Sequence, residues 1–341
     1  MKGIKVVLGD AQKVKEKLAN KGLIDNDRMI VKQDKSIIFP IISEAKAKKI
    51  IKNAKIVIAN FKKKKERKSF KEAVKKKLTK KELEKLKTSF DVVGTIAILE
   101  VSKELEKKEK LLAETLMEIN PGIRTVLKKI GSHGGVFRTQ KMNFLAGEDT
   151  RETVQRENGV SIKINVETVY FSARLSTERK RIAEVVRPGE KVLVMFSGAA
   201  PYVCVIAKKS KVKEVVGIEI NPEGHKYGLE NLKLNKITNA RLYCGDVKKI
   251  VPKLNVIFDR ILMPLPKSAE EFLDVALSFS KKGTVIHFYD FLLEEDIPKK
   301  SVEKMGKACK KAGMDFRVLH WNKCGQNNRR SYRICVDFEI D

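Results

Sequence analysis

A turn of small residues and two acidic residues follow three short apolar runs in the C-terminal half of the chain. The first run leads into Met195–Tyr202, MFSGAAPY, in which small residues separate a strand pattern from a helix start. Such a turn brings backbone N–H groups close to a ligand. Glu219 ends the second run, 21 residues after Gly198, where a carboxylate can accept both hydroxyl groups of a ribose. Asp246 follows the third run and is expected beside an adenine.

Both acids also have a structural interpretation. Asn221 and Pro222 predict a helix start directly after Glu219, and any acid there stabilises the helix dipole. The same alternative applies to Asp246. Acids after the second and third strands are typical of nucleoside binding, so the sequence predicts a nucleoside cofactor at this edge. We place Phe196 and Ile220 in the same site.

A proline-containing loop, Met263–Lys267 (MPLPK), follows the fourth apolar run. Prolines cannot continue a helix, and they present a flat apolar face where ligands bind in open α/β sheets. A planar base flipped from its stack can rest against Pro264 and Pro266. A rigid loop without a ligand is the alternative.

Strand and helix patterns alternate from about residue 166 onward, which predicts βαβ units around a parallel sheet in a domain spanning 166–341. The last two strand patterns have no helix between them and suit an antiparallel hairpin at the sheet edge. The predicted strands are Lys191–Phe196, Val215–Ile220, Ala240–Cys244, Arg260–Met263, Thr284–Tyr289, Phe316–Leu319 and Tyr332–Glu339. The predicted helices are Tyr202–Lys208, Pro222–Leu234, Ala269–Ser278 and Val302–Ala312.

Two small α+β modules are expected before that domain. Short β-rich runs alternate with lysine-rich helical patterns over residues 1–62, at Ile4–Leu8, Ser36–Ile42 and Lys55–Ile58. The charged run Phe61–Lys68 is interpreted as a linker or exposed turn. The second module, 69–165, is predicted from a helical stretch at Ser69–Leu86, a strand at Asp91–Val101 and a helical stretch at Lys103–Ile119.

The charge balance favours a polyanionic partner. The chain has 341 residues with 72 Lys and Arg against 43 Asp and Glu, a net charge of +29. Each such cation near a phosphate releases condensed counterions, although lysines on solvated helices would give the same excess. The five cysteines form no CxxC pair, and no apolar run reaches membrane-spanning length. We therefore expect a reduced, cytoplasmic protein without a membrane segment. The four histidines lack metal-ligand spacing, so no metal and no histidine role is predicted.

Several motifs together resemble the tRNA (guanine-37-N1) methyltransferase family of archaea and eukaryotes. The resemblance covers about residue 69 to the end, and residues before it more loosely. Its most specific carriers are Leu145–Glu148 (LAGE) and Tyr170–Leu175 (YFSARL). The other carriers are Ser89–Gly94, Val136–Arg138, Glu178-Arg179, Met195–Tyr202 and Pro264–Lys267.

The resemblance implies a class I Rossmann-like domain that uses S-adenosyl-L-methionine, and the terminal hairpin agrees because it distinguishes this sheet from an NAD-binding one. It implies a monomer that methylates N1 of guanine 37 in tRNA. In this family Glu178 is the base that removes the N1 proton, and Arg138 steadies O6. Arg174 shapes the site near the methionine end of the cofactor, and Tyr170 contacts the substrate base. The alternatives are a helix-start acid for Glu178, a phosphate contact for Arg138 and core packing for Tyr170.

The resemblance also implies that the N-terminal module inspects the outer corner of the tRNA. Phosphate contacts by the lysine-rich face of residues 46–87 would suit that role, and a solvated helix surface is the alternative.

The chain departs from the family pattern at four positions. Val194 replaces an acid of the first strand, Ala200 replaces a glycine, Ala173 replaces a proline, and Pro264 replaces an asparagine. Loss of the asparagine donor is expected to relax the demand for an unmodified purine. The Pro-Leu-Pro loop resembles that of archaeal family members that also methylate C7 of 4-demethylwyosine, so we expect this second activity at position 37. The alternatives are an aminocarboxypropyl transferase of wyosine synthesis and a non-catalytic tRNA-binding protein.

Overall fold

Two compact units divide the chain after Lys68 in the computed structural model of the protein. The structure describes residues 1–52, 54–63, 68–131, 134–326 and 328–341. Within the predicted linker Phe61–Lys68, positions 64–67 lie outside the described residues. Phe61 is buried and accepts a hydrogen bond on its carbonyl from the Arg28 side chain. Its position is therefore not the exposed turn that was expected.

The first unit, Met1–Lys68, contains an antiparallel four-stranded sheet in the order β2-β3-β1-β4. The three predicted strands are confirmed, and β2 is a further short strand. Apolar residues from the sheet and from the first helix, such as Ile4, Leu18 and Phe39, form its core. The elements are β1 Lys2–Val7, α1 Ala11–Ala19, β2 Val31–Gln33, β3 Ser36–Pro40, α2 Glu44–Ile50 and β4 Lys55–Ile58.

The second unit begins with a four-stranded sheet in the order β5-β6-β7-β8, in which only β6 and β7 are parallel. The helical prediction for Ser69–Leu86 corresponds to two short helices, because Thr79 and Glu82 form a second capping box that starts a new helix. The elements are α3 Phe70–Val74, α4 Lys80–Lys85, β5 Phe90–Val93, β6 Ile96–Leu99, α5 Glu109–Ile119, β7 Thr125–Lys129 and β8 Met142–Gly147.

The single strand predicted over Asp91–Val101 is wrong, because the chain reverses at Gly94. That glycine has a φ of +56°, which side chains rarely tolerate. A Cβ there would lie 2.2 Å from Thr153 Oγ1. The reversal divides the predicted strand into β5 and β6, and Asp91 lies on β5.

The remaining residues form a separate hairpin and a seven-stranded sheet in the order β13-β12-β11-β14-β15-β17-β16. The first five of these strands are parallel, and β17 runs antiparallel between β15 and β16. The predicted alternation and the edge hairpin are confirmed. The strands are β9 Glu152–Glu157, β10 Val160–Asn165, β11 Lys191–Val194, β12 Glu214–Glu219, β13 Ala240–Cys244, β14 Arg260–Met263, β15 Val285–Leu293, β16 Phe316–Gln326 and β17 Ser331–Ile340. The helices are α6 Ser176–Val185, α7 Pro201–Lys209, α8 Pro222–Leu234, α9 Val247–Leu254, α10 Leu273–Ser278 and α11 Lys299–Ala312.

One hydrophobic core joins the two sheets of the second unit. Ile96 and Leu127 of the smaller sheet, Ile162 of the hairpin, and Val192 and Val203 near the larger sheet belong to the same buried cluster. The structure divides the chain only after Lys68, so the boundary predicted between residues 165 and 166 stays a prediction. Among the helices of the described ranges, none has the length and apolarity needed to cross a bilayer.

A buried ion pair connects the hairpin to helix α6. Arg179 Nε and Nη2 donate to the two oxygens of Glu157, and the Nη2 distance is 2.7 Å. Each side chain is only 2% exposed. Arg179 also donates to the carbonyl of Ser172 at 3.0 Å and lies over the ring of Phe171. The pair therefore fixes the segment that precedes α6.

We predict that Glu157→Gln lowers the free energy of unfolding of the second unit by about 3–5 kcal/mol, because it leaves the Arg179 charge buried and unpaired. Glu214→Gln, which breaks the exposed pair with Arg241, is the control and should cost about 0–1 kcal/mol. Urea unfolding is followed by the fluorescence of Trp321, the single tryptophan of the chain. Equal small losses in the two variants would contradict the assigned role of the pair.

Candidate active site

A cavity of about 620 Å³ opens at the carboxyl ends of strands β11, β12, β13 and β14. This is the edge at which ligands bind in open α/β sheets. Eight of the predicted site residues line it together, which the parallel strands make possible because their ends converge there. They are Arg138, Tyr170, Phe196, Gly198, Glu219, Ile220, Asp246 and Pro264.

Glu219 joins two loops of this cavity. It is the last residue of β12, and its Oε2 accepts a hydrogen bond from Gly198 N at 2.5 Å while its Oε1 accepts one from Asn221 N at 2.8 Å. Burial raises the pKa of the Glu219 carboxyl above its ordinary value, although the two backbone donors oppose that shift. A Cβ on Gly224 would lie 3.1 Å from Glu219 Cγ. The carboxylate is held in place without a cationic partner among the described residues.

The turn between β11 and α7 takes its shape from two left-handed residues. Gly198 has a φ of +55° and Ala200 a φ of +62°, and Pro201 begins the helix. A Cβ on Gly198 would contact only the Tyr170 carbonyl oxygen, at 3.7 Å. The alanine at position 200 therefore adopts the left-handed conformation that glycine favours.

Asp246 and Phe196 both line the first cavity. Asp246 caps helix α9, since its Oδ1 accepts a hydrogen bond from Lys248 N at 2.8 Å. The ring of Phe196 meets that of Phe272 edge-on, with centroids 4.9 Å apart. Lys248 Nζ lies 4.9 Å from the Phe272 centroid. The wall thus combines an acid with aromatic surface, which suits an adenine.

The proline-containing loop contributes less than predicted. Pro264 and Leu265 line the cavity. Pro266 is buried and is not among the lining residues. Its role as a surface for the base therefore has no support from its position.

Arg138 and Arg333 both contact Tyr170 in the lining of the first cavity. The Arg138 guanidinium lies 5.5 Å from the Tyr170 ring centroid, and Arg333 Nη2 donates to the Tyr170 hydroxyl at 2.9 Å. Burial, and to a smaller extent the nearby charge of Arg333, lowers the pKa of Arg138. No carboxylate in the described part of the chain forms an ion pair with Arg138. The guanidinium is therefore available for a negatively charged group.

Glu178 lies outside the cavity lining. Its carboxylate accepts hydrogen bonds from Arg181 at 2.7 and 2.9 Å, from the Tyr289 hydroxyl at 2.7 Å and from Asn322 Nδ2 at 3.1 Å. Burial acts to raise the pKa of Glu178, but the Arg181 cation and the hydrogen bonds from Tyr289 and Asn322 together outweigh it, and the pKa is below its ordinary value. Tyr289 accepts a further hydrogen bond from Tyr202 at 3.2 Å. Since Tyr202 lines the cavity, hydrogen bonds connect Glu178 to the cavity wall.

Arg174 lines a second, adjoining cavity of about 670 Å³. Its Nη2 lies 2.6 Å from Asp91 Oδ1 on strand β5. The two cavities share Arg138, Tyr170 and Arg333 in their walls. Arg174 does not line the first cavity, and its place near the methionine end of the cofactor stays a prediction.

His287, Cys335 and Asp337 form a buried group with the geometry of a metal site. Their hydrogen bonds argue for a structural role. His287 Nδ1 lies 2.6 Å from Asp337 Oδ1, and its Nε2 lies 2.8 Å from Arg260 Nη1. Burial raises the pKa of the Cys335 thiol well above its ordinary value. Both imidazole nitrogens are engaged, so the group forms part of the network that reaches Arg181 through Asp337.

Sequence reasoning missed Arg333, Phe272 and Tyr289. Arg333 directly precedes the apolar run Ile334–Val336 of the final strand, and a cation at that position could have drawn attention to it. Phe272 and Tyr289 carried no signal, because aromatic residues in predicted helices and strands usually pack in the core.

Comparison with known proteins identifies the family. The family model of the TRM5/TYW2 methyltransferase domain matches residues 153–319, that of the TYW2 N-terminal domain matches 70–150, and that of the tRNA methyltransferase 5 N-terminal domain matches 3–49. The tRNA (guanine(37)-N(1))-methyltransferase Trm5b of Pyrococcus abyssi is 35% identical over 99% of this chain and 98% of its own length. The chain belongs to this methyltransferase family.

Other members of the family differ in the reaction that their names state. Taw22 of Nanoarchaeum equitans, a tRNA (guanine(37)-N(1))/4-demethylwyosine(37)-methyltransferase, is 30% identical over 74% of this chain and 99% of its own. A 4-demethylwyosine aminocarboxypropyltransferase of Pyrococcus horikoshii is 32% identical over 73% of this chain and 87% of its own.

Solved structures agree with this membership. Trm5b from Pyrococcus abyssi superposes with a TM-score of 0.74 at 34% identity, covering 100% of this chain and 99% of that one. A complex of aTrm5 with tRNA(Leu) superposes with a TM-score of 0.71 at 29% identity, covering 99% of both chains. The predicted family, the Rossmann-like fold and the class of S-adenosyl-L-methionine-dependent methyltransferase are confirmed. The roles of individual site residues stay predictions.

Proposed function

We propose that this enzyme transfers a methyl group from S-adenosyl-L-methionine to N1 of guanine at position 37 of tRNA. The observation that carries the proposal is the cavity itself, whose lining combines a fixed carboxylate for a ribose, Glu219, with Arg138, which has no ion-pair partner among the described residues. The named activity of the 35% identical relative supports the same reaction. The tRNA complex of another relative supports tRNA as the partner.

The cofactor fits one end of the cavity. Glu219 offers a fixed, buried carboxylate to ribose hydroxyls, and Ile220 and Asp246 lie beside it on the wall. Phe196 offers ring surface, and Gly198 leaves room for a ligand because a Cβ there would have a single neighbour. When bound, the cofactor supplies a methyl group that its sulfonium already activates, so no metal is required for methyl transfer.

The target base fits against the other wall. Guanine N1 carries a proton at neutral pH and is a poor nucleophile until that proton leaves. As the proton leaves, negative charge develops on O6, and the Arg138 guanidinium can donate hydrogen bonds to it. Tyr170 lies between Arg138 and Arg333 and offers its ring to the base. Pro264 offers apolar surface on the facing loop.

Glu178 is the final acceptor of the N1 proton in this proposal, and two tyrosines carry the proton to it. The hydroxyl of Tyr202 donates to Tyr289, and the hydroxyl of Tyr289 donates to Glu178. Each hydroxyl donates in the direction of the carboxylate. When Tyr202 accepts the proton from N1, it passes its own proton to Tyr289, and Tyr289 passes its own proton to Glu178. One proton thus leaves N1 and one arrives at Glu178. Arg181 keeps the carboxylate ionised at neutral pH. The tyrosines thereby connect the cavity with a base that does not line it.

A second candidate substrate is 4-demethylwyosine at the same tRNA position. Pro264 presents ring surface and a carbonyl, so this position offers no side-chain donor that selects a guanine edge. A larger tricyclic base loses no hydrogen bond there. The name of the 30% identical Taw22 relative states both activities. The cytoplasmic location and the monomeric state expected from the sequence are part of the same proposal.

The reaction is tested with two tRNAs, one with guanine 37 and one with 4-demethylwyosine 37. Each is incubated with enzyme and S-adenosyl-L-methionine, and nuclease fragments are mapped by mass spectrometry. We expect the mass of one methyl group on each base. Guanine alone methylated would reject the second substrate only. Addition of an aminocarboxypropyl group would favour the alternative transferase, and unmodified RNA would favour a binding protein.

The cofactor site predicts a pH-dependent affinity. Glu219→Gln should weaken S-adenosyl-L-methionine binding at least roughly tenfold by calorimetry, a loss of about 1.4 kcal/mol. The ionised carboxylate accepts the ribose hydroxyls, and burial raises its pKa. Wild-type affinity should therefore fall as the pH decreases through that raised pKa, above the range of an ordinary glutamate. Glu219→Gln should lack this dependence. The control is Glu223→Gln, an exposed acid of the same helix start, and equal affinities for both variants would reject the site.

The proton path predicts linked kinetic losses. Glu178→Gln and Arg138→Ala should each slow single-turnover methyl transfer by roughly 10² or more while cofactor affinity stays near wild type. Tyr289→Phe should match the loss of Glu178→Gln, and the double variant should be no slower than either single one. The control is Tyr227→Phe, whose hydroxyl bonds Glu152 outside the cavity. A wild-type rate for Tyr289→Phe would remove the tyrosines from the path.

A further inference from the structure

The second cavity, of about 670 Å³, lies beside the first within the second unit. It is large enough for a nucleotide, since small-molecule sites occupy about 300–1,000 Å³. Strand β5, the residues between β7 and β8, and strands β15, β16 and β17 contribute to its lining. Arg138, Tyr170 and Arg333 belong to the walls of both cavities. A ligand in one cavity is therefore a neighbour of a ligand in the other.

Two buried polar atoms of this wall have no hydrogen-bond partner in the described structure. They are Gln140 Oε1 and Arg333 Nε. Gln140 is 6% exposed, and its amide nitrogen donates to the Gly131 carbonyl, which leaves the oxygen as a fixed acceptor. Buried polar groups in proteins are almost always hydrogen-bonded. Two residues that line one cavity thus carry an acceptor and a donor without partners, which favours a ligand with polar groups of both kinds.

The charge of the wall favours an anionic ligand. Arg138, Arg174, Arg333 and Lys129 are its cations, and Asp91 is its acid. Asp91 is already shared between Lys129, at 3.0 Å, and Arg174, at 2.6 Å. Arg138 and Arg333 form no ion pair with the described residues. The excess of guanidinium groups suits a phosphate.

Aromatic surface accompanies these cations. The guanidinium of Arg333 lies over the ring of Phe291, 5.3 Å from its centroid, and Tyr170 and Phe90 also line the cavity. Proteins bind unstacked bases of single-stranded RNA on aromatic rings and on arginine planes. Base-stacking surface beside phosphate-binding groups is the chemistry of a nucleotide site.

We propose that the second cavity binds the nucleotide next to the methylated one in the tRNA loop. The proposal rests on the proposed function, in which guanine 37 leaves its stack and enters the first cavity. One phosphodiester joins the target to its neighbour, and the shared wall of Arg138 and Arg333 suits that phosphate. The neighbouring base then lies against Phe291 and the Arg333 guanidinium, and Gln140 Oε1 accepts a hydrogen bond from a base amino group or a ribose hydroxyl.

The test combines RNA and protein changes. Three tRNAs with guanine 37 are compared, namely the unmodified transcript and transcripts with an abasic nucleotide at position 36 or 38. Dissociation constants are measured for the wild-type chain, Phe291→Leu and Gln140→Leu. Both residues line only the second cavity. Thr168→Val is the matched control, because it removes another buried polar atom without a partner, outside both cavities.

For the wild-type enzyme and Thr168→Val, we expect one of the two abasic tRNAs to bind more weakly, on the order of tenfold. Phe291→Leu should bind the unmodified tRNA more weakly by a similar factor and show little further loss with the same abasic tRNA. Gln140→Leu should show the same two effects, weaker binding of the unmodified tRNA and a smaller further loss with the abasic tRNA, each to a lesser extent than Phe291→Leu. The affinity for S-adenosyl-L-methionine verifies that each variant is folded.

Equal abasic losses in all four proteins would overturn the proposal, as would a wild-type enzyme that is indifferent to both abasic positions. Methyl transfer to guanine 37 is measured in the same samples. Failure of that transfer would reject the proposed function, whereas the binding comparison alone decides the second cavity. The two failures are therefore distinguishable.

Discussion

The active site depends on one buried ion pair, that of Arg179 with Glu157. Both side chains are buried, and neither charge is stable in the core without the other, because an isolated buried ion is very costly. Nε and Nη2 of Arg179 therefore fix strand β9 against helix α6, and Nη2 also donates to the Ser172 carbonyl. The stacking of Arg179 on Phe171 fixes the same segment from the side. A single residue thereby holds the chain from Tyr170 to Leu175 between the hairpin and the helix.

That segment forms the partition between the two cavities. Tyr170, Phe171, Ser172 and Leu175 line both of them. The charged groups differ on its two sides. The first cavity contains the carboxylate of Glu219, whereas guanidinium groups outnumber acids in the second. Arg138 and Arg333 meet at Tyr170, where the two sides join. A rigid partition between a cofactor and an RNA loop is what a methyl transfer requires, because small displacements of the reacting atoms cost rate.

The sequence was most informative where apolar residues recur at regular spacing and the strands run parallel. Strand β13, strand β14 and helix α8 have the predicted bounds, and Glu219 and Asp246 meet because parallel strands end at one edge of a sheet. It was less informative about side chains that can point toward either of two sets of neighbouring residues. Glu178 is correctly placed in the first turn of α6, but helical spacing does not reveal that its carboxylate points to Arg181 and Tyr289.

Contacts between distant segments account for the other differences. Arg174 pairs with Asp91 across 83 positions of sequence, and no local pattern encodes such a pair. The reversal at Gly94 was hidden because apolar residues continue on both sides of it, and its requirement for glycine comes from Thr153 on another strand. Strand β10 was missed although its apolar residues alternate at Val160, Ile162 and Ile164, which is a detectable signal.

The most direct test of the proposed site is the structure of the enzyme bound to S-adenosylhomocysteine and a tRNA with guanine 37. We expect guanine 37 to be flipped into the first cavity, against Tyr170, with its O6 about 3 Å from the Arg138 guanidinium. We also expect the ribose hydroxyls of the cofactor product to contact Glu219. A guanine that remains stacked in the loop while Arg138 binds a phosphate would rule out this arrangement of the site.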